Sequence, residues 1–237
     1  VIIIIPARME SERLPSKPLL RINNKTLLQH TYERASKVPQ ATRVLVATDS
    51  QDICDEVCRF GGGVVFDDSV AYKNGTQRVA AAATIKEFHK EDYIVNWQVD
   101  EPMLEINDVS MMYENRNSIG AVDTMVSKLS GEYIEQMNRD MVKVAINPTN
   151  YCKWFSRQRI STWGHVGIYG YTMSTLQEIK RIPVSSNANF ESLEQISWLD
   201  FDFSIRAHEI SGLPLSINNR EDLEAFRSIV SSIERLS

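Results

Sequence analysis

Cysteine is scarce in this 237-residue chain, and the three present, Cys54, Cys58 and Cys152, form an odd set without the paired spacing of a zinc site. That argues against a disulfide framework and suits a reducing compartment, so a cytoplasmic location is expected. Cys54 and Cys58 fall one turn apart on an expected helix, where a buried thiol is the ordinary reading. Long apolar runs are missing as well. The opening run 1–5 is stopped by Pro6, far short of the roughly 20 residues needed to cross a bilayer and too short for a signal peptide, so no membrane insertion is expected. Nor is there an excess of positive charge: 26 Lys and Arg face 31 Asp and Glu, for a formal net charge of -5. A nucleic acid or an anionic membrane would favour a basic face, and neither is expected as a partner. No internal repeat or low-complexity segment occurs. With 43% hydrophobic residues, the chain has the material for one compact domain over 1–237.

What is present is alternation. The β-branched run 1–5 reads as a strand, followed by a helix over 26–37, a strand over 43–48 and a helix over 52–60. A glycine turn at 61–63, a short strand over 64–66, a helix over 77–89 and a strand over 93–97 complete the first half. This βαβ rhythm predicts an α/β fold with a mostly parallel sheet covered by helices on both faces. Ligands of such sheets bind beyond the carboxyl ends of the strands. The second half is less regular. Strands are expected over 125–129, 142–146, 153–156, 165–171 and 215–217, and helices over 172–180, 190–201 and 221–233. The region from about 124 to 203 reads as sheet edge plus a small inserted subdomain.

Three segments after expected strands or before an expected helix carry chemistry. In 6–19, three cations, Arg8, Arg13 and Lys17, share a loop stiffened by Pro6, Pro15 and Pro18. Guanidinium forks, an ammonium and backbone amides at such a place suit a polyphosphate. The plainer reading is a solvated loop balanced by Glu10 and Glu12. In Asn74-Gly75-Thr76-Gln77-Arg78, the glycine permits close approach to a ligand, while Thr76 is also a natural helix cap. In 96–102, Asp100 follows a strand, where a carboxylate beside phosphates is placed to bind Mg²⁺; a turn or cap acid before Pro102 is the alternative.

Taken in order, these segments resemble the CMP-Kdo synthetases, cytidylyltransferases that join CMP from CTP to 3-deoxy-manno-octulosonate (Kdo). Residues 6–19 resemble P-A-R-x-x-S-x-R-L-P-x-K-P-L, 74–78 resemble S-G-T-E-R, and 96–102 resemble N-V-Q-G-D-E-P. Further on, Trp154 to Arg157 resembles Y-F-S-R, His165 to Tyr171 resembles H-L-G-I-Y-G-Y, and Leu193-Glu194-Gln195 resembles L-E-Q. The resemblance implies a Rossmann-like nucleotide-diphospho-sugar transferase sandwich with a mostly parallel mixed sheet. In it the inserted subdomain serves sugar binding and dimerisation, and the chain is a homodimer. CTP and a 2-keto-3-deoxy sugar acid, Kdo or a relative such as 8-amino-Kdo, are the implied substrates, with Mg²⁺ as cofactor. Ala7, Arg8, Arg13, Lys17, Asn74, Gly75 and Gln98 would bind CTP. Asp100, Lys17 and Arg13 would carry catalysis. Arg78, Gln98, Arg157, His165, Glu194 and Gln195 would hold the sugar acid, with Arg78 reaching either that sugar or a supporting acid.

The chain also departs from the pattern. Ser16 and Val99 replace glycines, and a β-branched residue such as Val99 takes a positive φ only at a cost. Asn74 and Gln77 replace serine and glutamate. The stretch from Arg159 to His165 is shorter than in the familiar bacterial enzymes. Asn218 replaces the aspartate of G-V-D-T-P-E-D-L-E that would be a second metal ligand beside Asp100. Its amide oxygen can still coordinate a metal without adding charge, Asp222 is a substitute ligand, and Asn218 could equally be a helix cap. Val99 and Asn218 motivate one alternative, a catalytically impaired CTP-binding homologue, and a nucleotidyltransferase for another sugar acid is the variation within the same mechanism.

Overall fold

The fold was analysed in a computed structural model, which describes every residue except 12, 71, 73, 117–119, 130–140 and 236–237. Residues 130–140 of the expected subdomain therefore lie outside the described residues. Internal contacts divide the chain into two compact units, one formed by Val1–Glu87, Asn96–Val109 and Pro214–Ser237, the other by Phe88–Val95 and Ser110–Leu213.

The first unit is built on β1 (Ile2–Ala7), in which all six residues are buried. A strand with both faces covered must be apolar throughout, and four successive isoleucines supply that; each buried side chain is worth about 1.5–3 kcal/mol over an exposed one. After a single 3-10 turn (Lys17–Leu19) and the small ribbon of β2 (Arg21–Ile22) and β3 (Lys25–Thr26), α1 (Leu27–Ala35) begins at Thr26, whose side chain accepts from the Gln29 N–H. Strand β4 (Arg43–Thr48) pairs parallel with β1, from Ile2 opposite Arg43 to Ala7 opposite Thr48. After α2 (Gln51–Arg59), β5 (Gly63–Phe66) extends the layer in parallel. The next helix, α3 (Gly75–Ile85), buries Val79 to Ala83 almost completely, and alanines let it lie close with little loss of side-chain freedom. Strand β6 (Tyr93–Trp97) runs from the second unit into the first.

In the second unit, after α4 (Ile106–Glu114), β7 (Ala121–Lys128) is the middle strand. It is flanked by β10 (Trp163–Thr172) running antiparallel and β11 (Ser204–Ile210) running parallel. Strands β8 (Lys143–Ile146) and β9 (Cys152–Ser156) pair antiparallel, and β8 also meets β10 at Gly164. Helices α5 (Met173–Ile179), α6 (Ser186–Glu191) and α7 (Glu194–Asp200) follow β10. The last helix, α8 (Arg220–Glu234), returns to the first unit.

The expected α/β class with a mostly parallel mixed sheet is borne out. Several local expectations are corrected. The helix expected over 190–201 is two helices, because Ser192 adopts the left-handed conformation (φ 56°, ψ 44°) and ends the first. The strand expected over 215–217 lies outside any described ladder; it follows Pro214, which has no N–H to offer, and the Ile217 N–H makes a single bond to the Asp100 carbonyl. Thr76 does not cap α3. Asn74 does, accepting from the Gln77 N–H, while Thr76 is buried inside the helix and accepts from Asn96 Nδ2 at 3.4 Å. Helix α4 and strand β11 were not read from the sequence, although Ile205 and Ala207 alternate with polar neighbours as a half-buried strand should. No described helix is long and apolar enough to cross a membrane.

Candidate active site

Within the first unit the three sequence segments converge. A Cβ added to Gly75 would lie 3.2 Å from Pro6 Cγ and 3.4 Å from Gln98 Nε2, so the first, second and third segments touch at this glycine. The Lys17 ammonium and the Asp100 carboxylate form an ion pair at 2.7 Å, with side chains 14% and 31% exposed. Lys17 is delivered by the 3-10 turn, whose preceding residue Ser16 lies in the left-handed region at φ 53°, ψ 31°. The family's glycine at that position therefore has a conformational reason, which serine satisfies at a cost of about 1 kcal/mol. Arg8 and Arg13 are exposed on the same loop.

Asp100 is fixed through its backbone. Its carbonyl accepts from the Ile217 N–H at 2.8 Å, which brings the chain leading to Asn218 alongside. The Trp97 indole donates to the Glu101 carbonyl at 2.9 Å, and the Glu101 carboxylate accepts from the Ser216 hydroxyl, bracing the turn. Val99 carries no positive φ; it is buried, and its carbonyl accepts from Thr31 Oγ1 at 2.7 Å. The strain expected of a β-branched residue there is thus absent. Gln98 donates to Asn96 Oδ1 at 2.9 Å.

One reading of the C-terminal segment is corrected. Asn219, and not Asn218, caps α8, in a reciprocal capping box with Asp222. The Asp222 carboxylate accepts through Oδ2 from the N–H groups of both Asn218 and Asn219, at 2.8 and 3.1 Å, so one of its oxygens serves the cap.

Arg78 is 5% exposed. It donates through Nη2 to Asp49 at 2.7 Å and lies over the Tyr72 ring, 5.3 Å from its centroid. Tyr72 in turn donates to Asp67. The supporting acid is therefore Asp49, which sequence reasoning did not single out although it directly follows β4. Arg78 Nη1 is buried and has no hydrogen-bond partner among the described residues. A buried guanidinium edge without an acceptor is a place for an anionic or carbonyl oxygen.

The second unit holds the other candidates. Arg157 follows β9 and donates through Nη1 to the Glu191 carbonyl at 2.9 Å. His165 on β10 meets Phe155 edge-on, with centroids 5.1 Å apart, and Tyr169 at 5.5 Å. The Thr124 hydroxyl donates to the Ile168 carbonyl at 2.7 Å, so its contact with His165 Nε2 at 2.9 Å is one in which the imidazole donates. That assigns the Nε2–H tautomer and leaves Nδ1 an acceptor. Gln195 is buried and Glu194 half-buried at the start of α7. Tyr169, not singled out from the sequence, packs on His165 and at 4.8 Å on Trp198 of the same helix. Burial first, and then the charge of Glu194, push its hydroxyl well above the usual range, so Tyr169 stays protonated.

Burial pushes the His165 imidazole down to about 3. An unfolded chain takes up a proton at this residue below about pH 6.5, whereas the folded one does so only near pH 3. Stability should therefore fall as pH drops through that window, by about 2 kcal/mol from this group at pH 5. Denaturant melts at pH 7.5 and 5.0 should show this difference, and His165→Gln should reduce it by about that amount; an unreduced difference would assign the acid sensitivity elsewhere.

Residues 2–200 match the family described as cytidylyltransferase. A 3-deoxy-manno-octulosonate cytidylyltransferase of Cytophaga hutchinsonii is 32% identical over 94% of this chain and 94% of its own. The chain belongs to the CMP-Kdo synthetase family of cytidylyltransferases. Another relative of the same name, from Escherichia coli, is 32% identical over 97% of this chain and 96% of its own. Among solved structures, a CMP:2-keto-3-deoxy-manno-octonic acid synthetase complexed with CTP superposes with a TM-score of 0.88 at 31% identity, covering 98% of both chains. A cytidylyltransferase from Leptospira borgpetersenii, at a TM-score of 0.63 and 19% identity, shares the fold over 98% of this chain and 86% of its own. The synthetase family is thus supported by sequence and fold over nearly the whole chain.

Proposed function

We propose that this cytidylyltransferase transfers CMP from CTP to Kdo or a close relative such as 8-amino-Kdo, releasing pyrophosphate. The carrying observation is the Lys17–Asp100 pair, a phosphate-type cation and a metal-type carboxylate held together, with Gly75 packed against Gln98 of the segment that carries Asp100. The names of near-full-length relatives supply the acceptor.

In this reading Arg8, Arg13 and Lys17 hold the triphosphate, with Lys17 nearest the phosphates that leave, while Ala7, Asn74, Gly75 and Gln98 receive the nucleotide. Arg78, Gln98, Arg157, His165, Glu194 and Gln195 hold the sugar acid. Its anomeric hydroxyl attacks the α-phosphorus in line, the bond to the β-phosphate oxygen breaks, and pyrophosphate carries away the electron pair. No covalent enzyme intermediate is required. The residues orient two anions that repel each other and neutralise the charge that gathers on the leaving group.

Mg²⁺ is the cofactor of this reading. The donor set suits it: Asp100 offers a hard, part-exposed carboxylate, and the Ile217–Asp100 backbone bond brings the neutral amide of Asn218 into the neighbouring chain. When bound, such an ion supplies Lewis-acid polarisation of the phosphate oxygens. A carboxylate at 218 would add charge to this set, so Asn218→Asp should lower the Mg²⁺ concentration for half-maximal rate severalfold. An unchanged requirement would remove residue 218 from metal binding.

A cytoplasmic homodimer completes the reading. It is supported by exposed apolar side chains of the second unit, Phe190 at 88% and Val184 and Phe201 at lower exposure, and is checked by sedimentation. The reaction itself is tested by pyrophosphate release from CTP and Mg²⁺ with Kdo, 8-amino-Kdo, a sialic acid and no sugar. Release dependent on Kdo or its amino analogue is expected. Silence with both, in protein that binds CTP, would favour a binding homologue with impaired turnover; release with sialic acid alone would move the acceptor assignment.

A further inference from the structure

Lysine is rarely buried, because its ammonium loses hydration that few interiors repay. Lys143 is only 2% exposed. It opens β8, opposite Ser156 of β9 and Gly164 of β10. Its ammonium donates to two backbone carbonyls, those of Met141 and Arg157, each at 2.8 Å. Burial, and then the nearby charge of Arg157, push the amine below its ordinary value.

Arg157 is held in a matching way. Its Nη1 donates to the Glu191 carbonyl at 2.9 Å and more weakly to that of Ser192 at 3.5 Å, where α6 ends. Among the described residues no carboxylate pairs with either cation. The Glu191 carboxylate instead accepts from the Ser156 hydroxyl at 2.8 Å. Two neighbouring cations satisfied only by carbonyls leave a local positive potential that an anion can neutralise. The Arg157 main chain is tied to Lys143 and its guanidinium to the end of α6, so both ends of the residue are held.

We propose that Lys143 is a positioning residue for acceptor recognition: by clamping the Arg157 carbonyl it presents the guanidinium to the carboxylate of the sugar acid. This rests on the reading of Arg157 as an acceptor-binding residue given above. Lys143 does not itself touch the reacting atoms. Its influence passes through the backbone of Arg157, and its charge adds to the potential there.

The test is steady-state pyrophosphate release by the full chain with Kdo and CTP varied separately. Lys143→Met should raise KM for Kdo at least tenfold while KM for CTP changes less than twofold. Lys143→Gln keeps two N–H donors for the two carbonyls without the charge, and should raise KM for Kdo about threefold. Because the effect passes through Arg157, adding Lys143→Met to Arg157→Ala should change KM less than twofold beyond Arg157→Ala alone.

An unchanged KM for Kdo, an equal rise for both substrates, or multiplicative effects in the double variant would overturn the proposal while leaving the reaction assignment intact. If Lys143→Met does not fold, Lys143→Gln decides by the same comparison of the two KM values. Wild-type protein inert with every sugar acid would overturn the acceptor reading, and this inference with it.

Discussion

Asp100→Asn is expected to lower kcat about 10³-fold while leaving the protein folded. The substitution keeps size and shape but removes the negative charge that would hold a divalent cation against the phosphates, and loss of such preorganised electrostatic stabilisation costs on the order of 10²–10³ in rate. Two features argue that the fold survives. The bond joining residue 100 to the C-terminal segment uses the Asp100 backbone carbonyl, which asparagine retains. The contact with Lys17 loses its charge but not its hydrogen bond, because the asparagine amide oxygen can still accept from the ammonium. Pyrophosphate release and a thermal melt on the same preparation separate the two effects. A kcat within tenfold of wild type would remove Asp100 from the chemistry.

Gly170→Ala should destabilise the protein by about 3 kcal/mol. The added methyl would run into the Tyr93 hydroxyl, with Cζ 2.6 Å and Cε1 2.9 Å away. Tyr93 cannot simply step aside. Its hydroxyl donates at 2.8 Å to the buried Asp123, which also takes the His208 Nε2 contact at 2.7 Å, and its ring packs on Tyr113 with centroids 5.4 Å apart. Overpacking of a core costs about 1–3 kcal/mol, and breaking the bond to a buried carboxylate adds to that. For a chain of this size the melting temperature should fall by about 6–12 °C. A shift below 2 °C would mean that β10 moves away from Tyr93 without penalty.

How far the sequence discloses this arrangement depends on how local the determining interaction is. Ile2 to Ile5 need no partner to announce a buried parallel strand, and the order of Arg8, Arg13 and Lys17 behind it located the loop correctly. That this loop shares a site with Gly75 and Gln98 was implied by the resemblance of the ordered motifs. Local competition was harder to read. Asn74 and Thr76 are both good capping residues, and Asn74 caps because Thr76 is drawn into the interior toward Asn96. Ser192 breaks a helix that its neighbours would have continued, and nothing in its side chain signals a left-handed backbone. Asp49 and Tyr72 gain meaning only once α3 aims Arg78 at them. Lys143 was the least legible, since a lysine opening a strand ordinarily faces water, and its burial depends on carbonyls of residues 141 and 157 meeting across a sheet. The motifs of the first unit were therefore legible as segments that meet, while the groups that orient their side chains were visible only in three dimensions.

Ser16 carries a last consequence for the loop that follows β1. A glycine there would reach φ 53° freely, but it would also give the unformed loop many more conformations to lose. Serine accepts about 1 kcal/mol of strain when the loop forms and recovers part of it from the narrower ensemble beforehand. With Pro15 and Pro18 on either side, the turn that carries Lys17 draws its shape from the stiffness of its own covalent chain. In the proposed reading of this loop, a turn stiffened in this way leaves less conformational freedom for nucleotide capture to remove, and loosening residues 15–18 should show as weaker CTP binding.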